Sequence, residues 1–390
     1  MTQTINADIV VVGAGLVGLS AAIAFAKQGK KTVLVDSKNP AIKLKKAWDE
    51  RVYALAPATE QWLSSIGVWA HVDVSRVSAI NSMHLFEEAS EQGLELNDED
   101  AHLTKLGLII ENQNLMHALI AQLKTLDVTI ITDMQCASLH NTHQAVTINL
   151  ANGVAISAKF VVAADGINSW VRQQANIAVQ HKDFNQTAIV ANFTTEKLHR
   201  NVARQWFAPH ETLALLPLVG QNVSIVWAVS TERADELLKL SNKDLADAVC
   251  VKSQGVLGDL THVGKTQCFT LQQQTATGLI AQRVVLMGDA AHQIHPMAGQ
   301  GVNLGFRDVM QMVAITTNCH ALQDIGCNTI LRQYERARAA DVATMNMLTT
   351  GLDSLFSTDN RLLKKLTHWG FMQINKQASI KKLLIQQVAA

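Results

Sequence analysis

Charge and cysteine are both sparse in this sequence, and each scarcity excludes something. Charged residues make up only 17% of the chain, so the polar, self-repelling composition of a disordered protein is excluded. Lys+Arg and Asp+Glu number 33 each. With no basic block, the footprint of a nucleic-acid partner is missing. The five cysteines, Cys136, Cys250, Cys268, Cys319 and Cys327, are odd in number and dispersed, with no CxxC pair. That pattern argues against a disulfide framework or a zinc site and for a cytoplasmic compartment. One uncharged apolar run, residues 9–26, approaches the length of a signal core or a short membrane span. No Lys or Arg precedes it and Gly13, Gly15 and Gly18 interrupt it, so it reads as a buried strand turning into a buried helix.

What is abundant is apolar surface: 48% of 390 residues, enough for a large core and two or three domains. Residues 7–12 form a β-branched run suited to a parallel strand covered on both faces. GAGLVG follows, then an Ala-rich helix over 16–28, then a second strand over 32–35 ending at Asp36. This is a βαβ unit. Gly13 permits the tight turn, Gly15 lets a pyrophosphate approach the backbone, and Gly18 lets helix and strand pack closely. The phosphates then meet the free N–H groups of a helix N-terminus. Asp36 stands where an acid hydrogen-bonds the ribose hydroxyls of an adenosine.

Further on, Asn112 is placed to cap a helix through Leu115, Leu119 and Leu123, and 128–132 reads as a strand. Residues 145–150 and 154–158 flank Asn152-Gly153 as a hairpin. Residues 159–164 run as a buried strand into Asp165-Gly166, and 283–287 into Gly288-Asp289. Between them, 186–231 is strand-rich and reads as a separate sheet, including 188–194, 213–218 and 223–230. Long helices are expected over 302–317 and 329–355. Strand-end loops are where an open α/β sheet binds its ligand, so the Gly13, Asp165 and Asp289 loops are expected to converge. His292 and His295 lack the neighbours of a metal site, and a loop histidine satisfied by backbone is the simpler reading.

The set GAGLVG with Asp36, DERVYAL (49–55), VVAADGINSWVR (161–172) and RVVLMGDAAHQIHPMAGQGVNLGFRDV (283–309) resembles the FAD-dependent aromatic hydroxylases of the para-hydroxybenzoate hydroxylase type. Within them it is most similar to the ubiquinone-biosynthesis hydroxylases of polyprenylated phenols. The resemblance implies an α/β fold: a GxGxxG FAD-binding Rossmann-like domain over 1–75, 100–182 and 268–330, a β-sheet substrate domain interleaved over 76–99 and 183–267, and a C-terminal helical section over 331–390. It implies that Gly13, Gly15, Gly18 and Asp36 hold the ADP half of FAD, and that Arg51 contacts the flavin nucleotide. It places Asp165 in a motif serving FAD and the nicotinamide cofactor together, and Gly288-Asp289 at the ribityl chain. Pro296 and the backbone of Gly299, Gln300, Gly301, Val302 and Asn303 would lie against the isoalloxazine ring. Asn112 occupies a place where some relatives carry an arginine facing FAD. A surface ion pair of Arg51 with Asp49 or Glu50 is the structural alternative for that residue.

The implied activity is monooxygenation of a polyprenylated phenol or benzoquinol with NAD(P)H and O2, through a flavin hydroperoxide. NAD(P)H acts as a transient reductant, in keeping with a single GxGxxG. A hydroxylase of a small soluble aromatic and a non-catalytic FAD-binding subunit of a biosynthetic complex are the alternatives. Two departures from the family pattern stand out: Asp36 where Glu is commoner, and Glu211-Thr212 in place of Gly-Pro. Trp206, Phe207, Leu216, Pro217 and Trp227 are candidate substrate walls, although sheet core explains each equally well. No general base is readable. Residues 361–390 carry six Lys or Arg and no acid, leaving the rest of the chain at −6. This basic, leucine-rich tail suits either peripheral contact with the inner membrane face or a biosynthetic complex, or a C-terminal helix covering the core with a solvated basic face.

Overall fold

A computed structural model describes residues 4–40, 44–87, 93–294, 301–320, 322–356, 373–375 and 377–389. Its centre is a six-stranded sheet in the order Ile280–Ala281, Val284–Leu286, Phe160–Ala163, Ile9–Val12, Thr32–Val35, Val128–Ile131. All but the first strand run parallel. Three consecutive strands of this sheet, Val284–Leu286, Phe160–Ala163 and Ile9–Val12, are fully buried apolar runs, because helices and a second sheet cover both faces. They pair in register, Val12 with Ala163 and Ala163 with Leu286. Their C-terminal ends therefore release Gly13, Asp165 and Gly288-Asp289 side by side. The apolar run at 9–26 resolves into the strand Ile9–Val12 and the helix Leu16–Lys27.

The hairpin read around Asn152-Gly153 forms as Val146–Leu150 against Ala155–Ala158. It belongs to a four-stranded sheet completed by Thr4–Asn6 and Cys136–Asn141, neither of which was read as a strand from sequence. A three-stranded sheet of Val52–Leu55, Gly107–Glu111 and Ser78–Ile80 carries the chain from Arg51 toward the larger sheet.

That larger sheet has eight strands, in the order His292–Gln293, Leu260–Ala276, Val179–Thr195, Asn222–Ser230, Glu211–Pro217, Val202–Ala208, Ser82–Glu87, Leu94–Asn97. Its two longest members, 17 residues each, pair from Val179 with Ala276 to Thr195 with Leu260. The divisions drawn from sequence at 182/183 and 267/268 fall inside these continuous strands. The first lies next to a register break between Asp183 and Gln186. One face of the sheet packs on the helices Thr231–Leu237 and Asn242–Lys252 through Ile189, Phe193, Trp206, Leu213, Ile225 and Trp227. The other face turns toward the parallel sheet.

The C-terminal helices, Gly301–Thr317 and Asn328–Phe356, join the main core through Phe306, Val309, Ile330, Leu331 and Tyr334. The Tyr334 hydroxyl donates to Leu286 O at 2.7 Å, tying the last long helix to the central sheet. Among the described residues, no helix is long and apolar enough to cross a membrane.

Candidate functional site

Between the parallel sheet and the eight-stranded sheet lies a cavity of about 1020 Å³. One wall is the turn after the first strand. Gly13 adopts φ +104°, and a Cβ there would sit 2.2 Å from Ala164 O; a Cβ on Gly18 would sit 1.9 Å from Gly13 O. Gly15 differs, with no atom within 4 Å of the place its Cβ would take. Gly13 and Gly18 are thus filled by protein, whereas the backbone at Gly15 faces open space. No side chain caps the helix at Gly15 and no acid lies in its first turn. Its unpaired N–H groups therefore border a cavity that Gly15, Leu16 and Val17 line.

Asp36 folds back on this turn. Ala14 N–H donates to Asp36 Oδ2 at 2.6 Å and Lys38 N–H to Oδ1 at 2.7 Å, leaving each oxygen a further lone pair. Asp165 accepts from Val171 N–H at 3.1 Å, while its buried Oδ1 has no partner. Burial raises its carboxyl pKa, opposed by hydrogen bonds from Ser169 and the backbone after it. Arg172 ties the loop after Asp165 to the loop after Asp289, donating to Ile167 O at 2.8 Å and Ala290 O at 2.9 Å.

Arg51 and Asp289 both line the cavity. Burial raises the Asp289 carboxyl pKa, and Arg51, then His292, pull it back. The Arg51 guanidinium lies 5.4 Å from the centre of the Tyr53 ring. Its alternative partners are engaged elsewhere: Asp49 with backbone N–H groups of Arg51 and Gln113, and Glu50 with Lys265 and Gln267. Burial pushes the Tyr53 hydroxyl up to about 12. Asn112, read as a cap from sequence, is instead the first residue of Asn112–Leu123, with Glu111 as N-cap. Its Oδ1 accepts from the Tyr53 hydroxyl at 3.3 Å.

Two buried networks around these residues were not legible in sequence. Fully buried Glu111 accepts both Nε and Nη2 of Arg76 at 2.7 Å and Asp49 N–H at 2.6 Å, fixing the strand that presents Arg51. Under Gly288, the buried Asp308 carboxylate accepts Gly288 N–H at 2.8 Å, His292 Nε2 at 2.7 Å and Arg338 Nε at 2.7 Å. Burial pushes the Asp308 carboxyl up, but the charge and hydrogen bond of His292, then Arg338, outweigh it and hold the pKa below the usual range. The partner of His292 is therefore a carboxylate rather than backbone, a pairing 16 residues away that local reading misses. Among the described residues, no group of three or more metal-ligating side chains occurs.

Asn303 is buried and turned away from the cavity. Its Oδ1 accepts from Ala56 N–H at 3.0 Å and the Thr59 hydroxyl at 2.9 Å, and its Nδ2 donates to Ala54 O at 2.8 Å. Gly301 and Val302 line the cavity. His295, Pro296, Gly299 and Gln300 lie outside the described residues.

The far wall is the eight-stranded sheet, where strand alternation decides which candidates face inward. Phe207 and Leu216 line the cavity together with Ala188, Val190, Val226 and Ala228. Trp206 and Trp227, offered above as substrate walls, sit one residue out of phase and pack under the helices on the opposite face. Pro217 shares the parity of Leu213 and Leu215 and is not part of the lining. Glu211, one of the departures noted above, bridges these layers, accepting Trp227 Nε1 at 2.7 Å and pairing with Lys252 at 2.7 Å. The other end of the cavity is aliphatic: Ile80, Met83, Leu85, Leu96 and Leu106. That end is backed by Ile385 of the helix Ala378–Ala389. Lys381 of this helix is turned inward to Asp100 at 3.2 Å, so the basic face expected of the tail is not wholly solvated. Residues 361–372 of the tail lie outside the described residues.

A dinucleotide-type turn, two strand-end aspartates and an apolar sheet closing on one cavity define a flavoprotein of the aromatic-hydroxylase kind. The chain belongs to the family described as FAD binding domain, which matches residues 6–349, and FAD is its cofactor. It is 30% identical over 391 residues to Ubiquinone hydroxylase UbiL of Rhodospirillum rubrum, covering 97% of this chain and 89% of that protein. It is 29% identical to the 3-demethoxyubiquinol 3-hydroxylase of Escherichia coli, covering 96% of each. The p-nitrophenol 4-monooxygenase PnpA of Pseudomonas putida shares the fold, with a TM-score of 0.80 at 17% identity over 100% of this chain and 99% of that one.

Proposed function

We propose that this protein hydroxylates the ring of a polyprenylated phenol or benzoquinol in ubiquinone biosynthesis, with NAD(P)H as reductant and O2 as oxygen source. The observation that carries this reading is the division of one cavity into a polar end, at Gly15, Arg51 and Asp289, and a long apolar end across the sheet. An aromatic head can reach the first while a hydrocarbon tail lies in the second. The relatives named above act, by name, on ubiquinone and demethoxyubiquinol.

Bound FAD supplies the redox chemistry that activates O2 toward an electron-rich ring. The residues do the rest. The free N–H groups at Gly15 would receive pyrophosphate, Asp36 the ribose hydroxyls, Asp289 the ribityl hydroxyls, and Arg51 the anionic nucleotide. The backbone at Gly301 and Val302, which lines the cavity, would border the flavin ring, and Asp165 would serve the nicotinamide reductant as well as FAD. Titratable groups on the described cavity wall are Arg51, Tyr53, Arg204 and Asp289. Tyr53 keeps its proton at neutral pH and donates it to Asn112 Oδ1, so toward the cavity its oxygen is left as an acceptor. The apolar sheet face orients the ring and excludes water from the reacting centre.

The test is anaerobic reduction by NADH or NADPH, followed in the flavin bands with and without a short-chain prenylphenol. Faster reduction with the phenol is expected. Bound flavin with no response to the phenol would refute the hydroxylase reading. We place the protein at the cytoplasmic face of the inner membrane, where a lipid-tailed substrate resides. Removal of residues 361–390 should then reduce sedimentation with anionic liposomes, and unchanged sedimentation would leave the tail as packing alone.

A further inference from the structure

Two polar side chains on the eight-stranded sheet are buried with atoms left unpaired. Asn192 is 1% exposed and Ser224 0%, and they stand directly opposite one another across the antiparallel pairing of Val179–Thr195 with Asn222–Ser230. Asn192 Nδ2 donates to Asp49 O at 3.1 Å. Asn192 Oδ1 and Ser224 Oγ have no hydrogen-bond partner.

Alternation puts both on the sheet face that borders the cavity, immediately beside its lining residues rather than among them. Ala188 and Val190 precede Asn192 in the same phase, and Val226 and Ala228 follow Ser224 in the same phase; all four line the cavity. Leu216, paired with Ser224 on the next strand, lines it too. One pleat, about 7 Å, separates Ser224 from Val226. Away from the cavity the two rows continue with Thr194 and Asn222, which bond each other at 3.0 Å; toward it they continue only with Val190, Ala188, Val226 and Ala228, which shows what packing alone asks for there. A buried hydroxyl and amide oxygen left without partners would be costly substitutes for such residues.

One group complements both atoms. An O–H can donate to Asn192 Oδ1 and accept from the Ser224 hydroxyl, whose proton is otherwise unused. The Asp49 carbonyl fixes the Asn192 amide, so its oxygen is the atom left to accept. Asp49 lies two residues before Arg51, which places this spot beside the polar end of the cavity rather than its aliphatic end. We propose that Asn192 and Ser224 together bind a single O–H, supplied either by a ring hydroxyl of the phenolic ligand or by an ordered water. The ring-hydroxyl source rests on the function proposed above; the water source does not.

Ser224→Ala in the FAD-loaded full chain separates the cases. Two readings are taken: the thermal midpoint without ligand, and the affinity for 2-prenylphenol and for prenylbenzene, followed by the flavin spectrum. If the ligand hydroxyl occupies the site, 2-prenylphenol weakens about fivefold, the worth of one hydrogen bond, while prenylbenzene binds as before and the midpoint does not fall. If water occupies it, the midpoint of the ligand-free variant falls. A midpoint that holds or rises, with both ligands bound as tightly as by the unaltered protein, overturns the proposal. If the unaltered protein binds neither ligand, the functional reading fails, and the midpoint alone decides whether water is held.

Discussion

Replacing Arg338 by Met tests whether the Asp308 network holds the cofactor loop in place. The guanidinium is 5% exposed and the Asp308 carboxylate 0%, so the pair lies in the interior. Arg338→Met keeps most of the side-chain volume but leaves Asp308 with His292 and Gly288 N–H as its remaining partners. Removing one member of a buried pair costs about 3–5 kcal/mol, a large part of the roughly 5–15 kcal/mol that holds a protein folded. The urea midpoint of the FAD-free variant should fall accordingly. Asp308→Asn in the Arg338→Met background removes the stranded charge while keeping an oxygen for Gly288 N–H, so the double variant should be more stable than Arg338→Met alone. The folded-state pKa of Asp308 is depressed. Its contribution is therefore fully present above the unfolded carboxylate value and is lost as pH falls through the lower folded value. Arg338→Met should accordingly unfold at higher pH on acid titration. A single variant within about 1 kcal/mol of the parent, or a double variant that only adds the two losses, would refute this reasoning.

Asp289→Ala should purify with much less FAD, measured as the ratio of flavin to protein absorbance; full occupancy would remove Asp289 from the cofactor contacts. Gly18→Ala and Gly15→Ala should differ in kind. A Cβ at Gly18 lands 1.9 Å from a backbone oxygen, which forces the turn to move and costs about 1–3 kcal/mol or more in the FAD-free protein. At Gly15 the space is open, so the FAD-free protein should lose about 1 kcal/mol or less, through the poorer N-cap, while FAD affinity drops. Equal thermal shifts for the two would contradict the assignment of the open space to ligand.

The contrast between what was legible in the sequence and what was not follows the range of the interactions. The Gly13, Asp165 and Asp289 loops are legible because a buried parallel strand is a local signal, and glycine beside a strand end marks the turn. Trp206 and Trp227 mislead because size suggests a wall, whereas one step of strand phase decides the face. That phase is fixed by helices Thr231–Leu237 and Asn242–Lys252, which local reading passes over. Asp308 left a fainter local trace: an acid among Leu304, Phe306 and Val309, all fully buried on one helix. A carboxylate in such a row needs a cation, and Arg338 lies 30 residues on, beyond the reach of any periodicity. Glu111 and Arg76, 35 residues apart, follow the same rule. The motifs thus name the atoms that meet the cofactor, while the charges that aim those atoms are set by tertiary pairing. Asn192 and Ser224 extend this logic to the substrate side. They are two polar residues next to a stretch of Ala and Val that lines the cavity, and only the sheet register shows that they face each other.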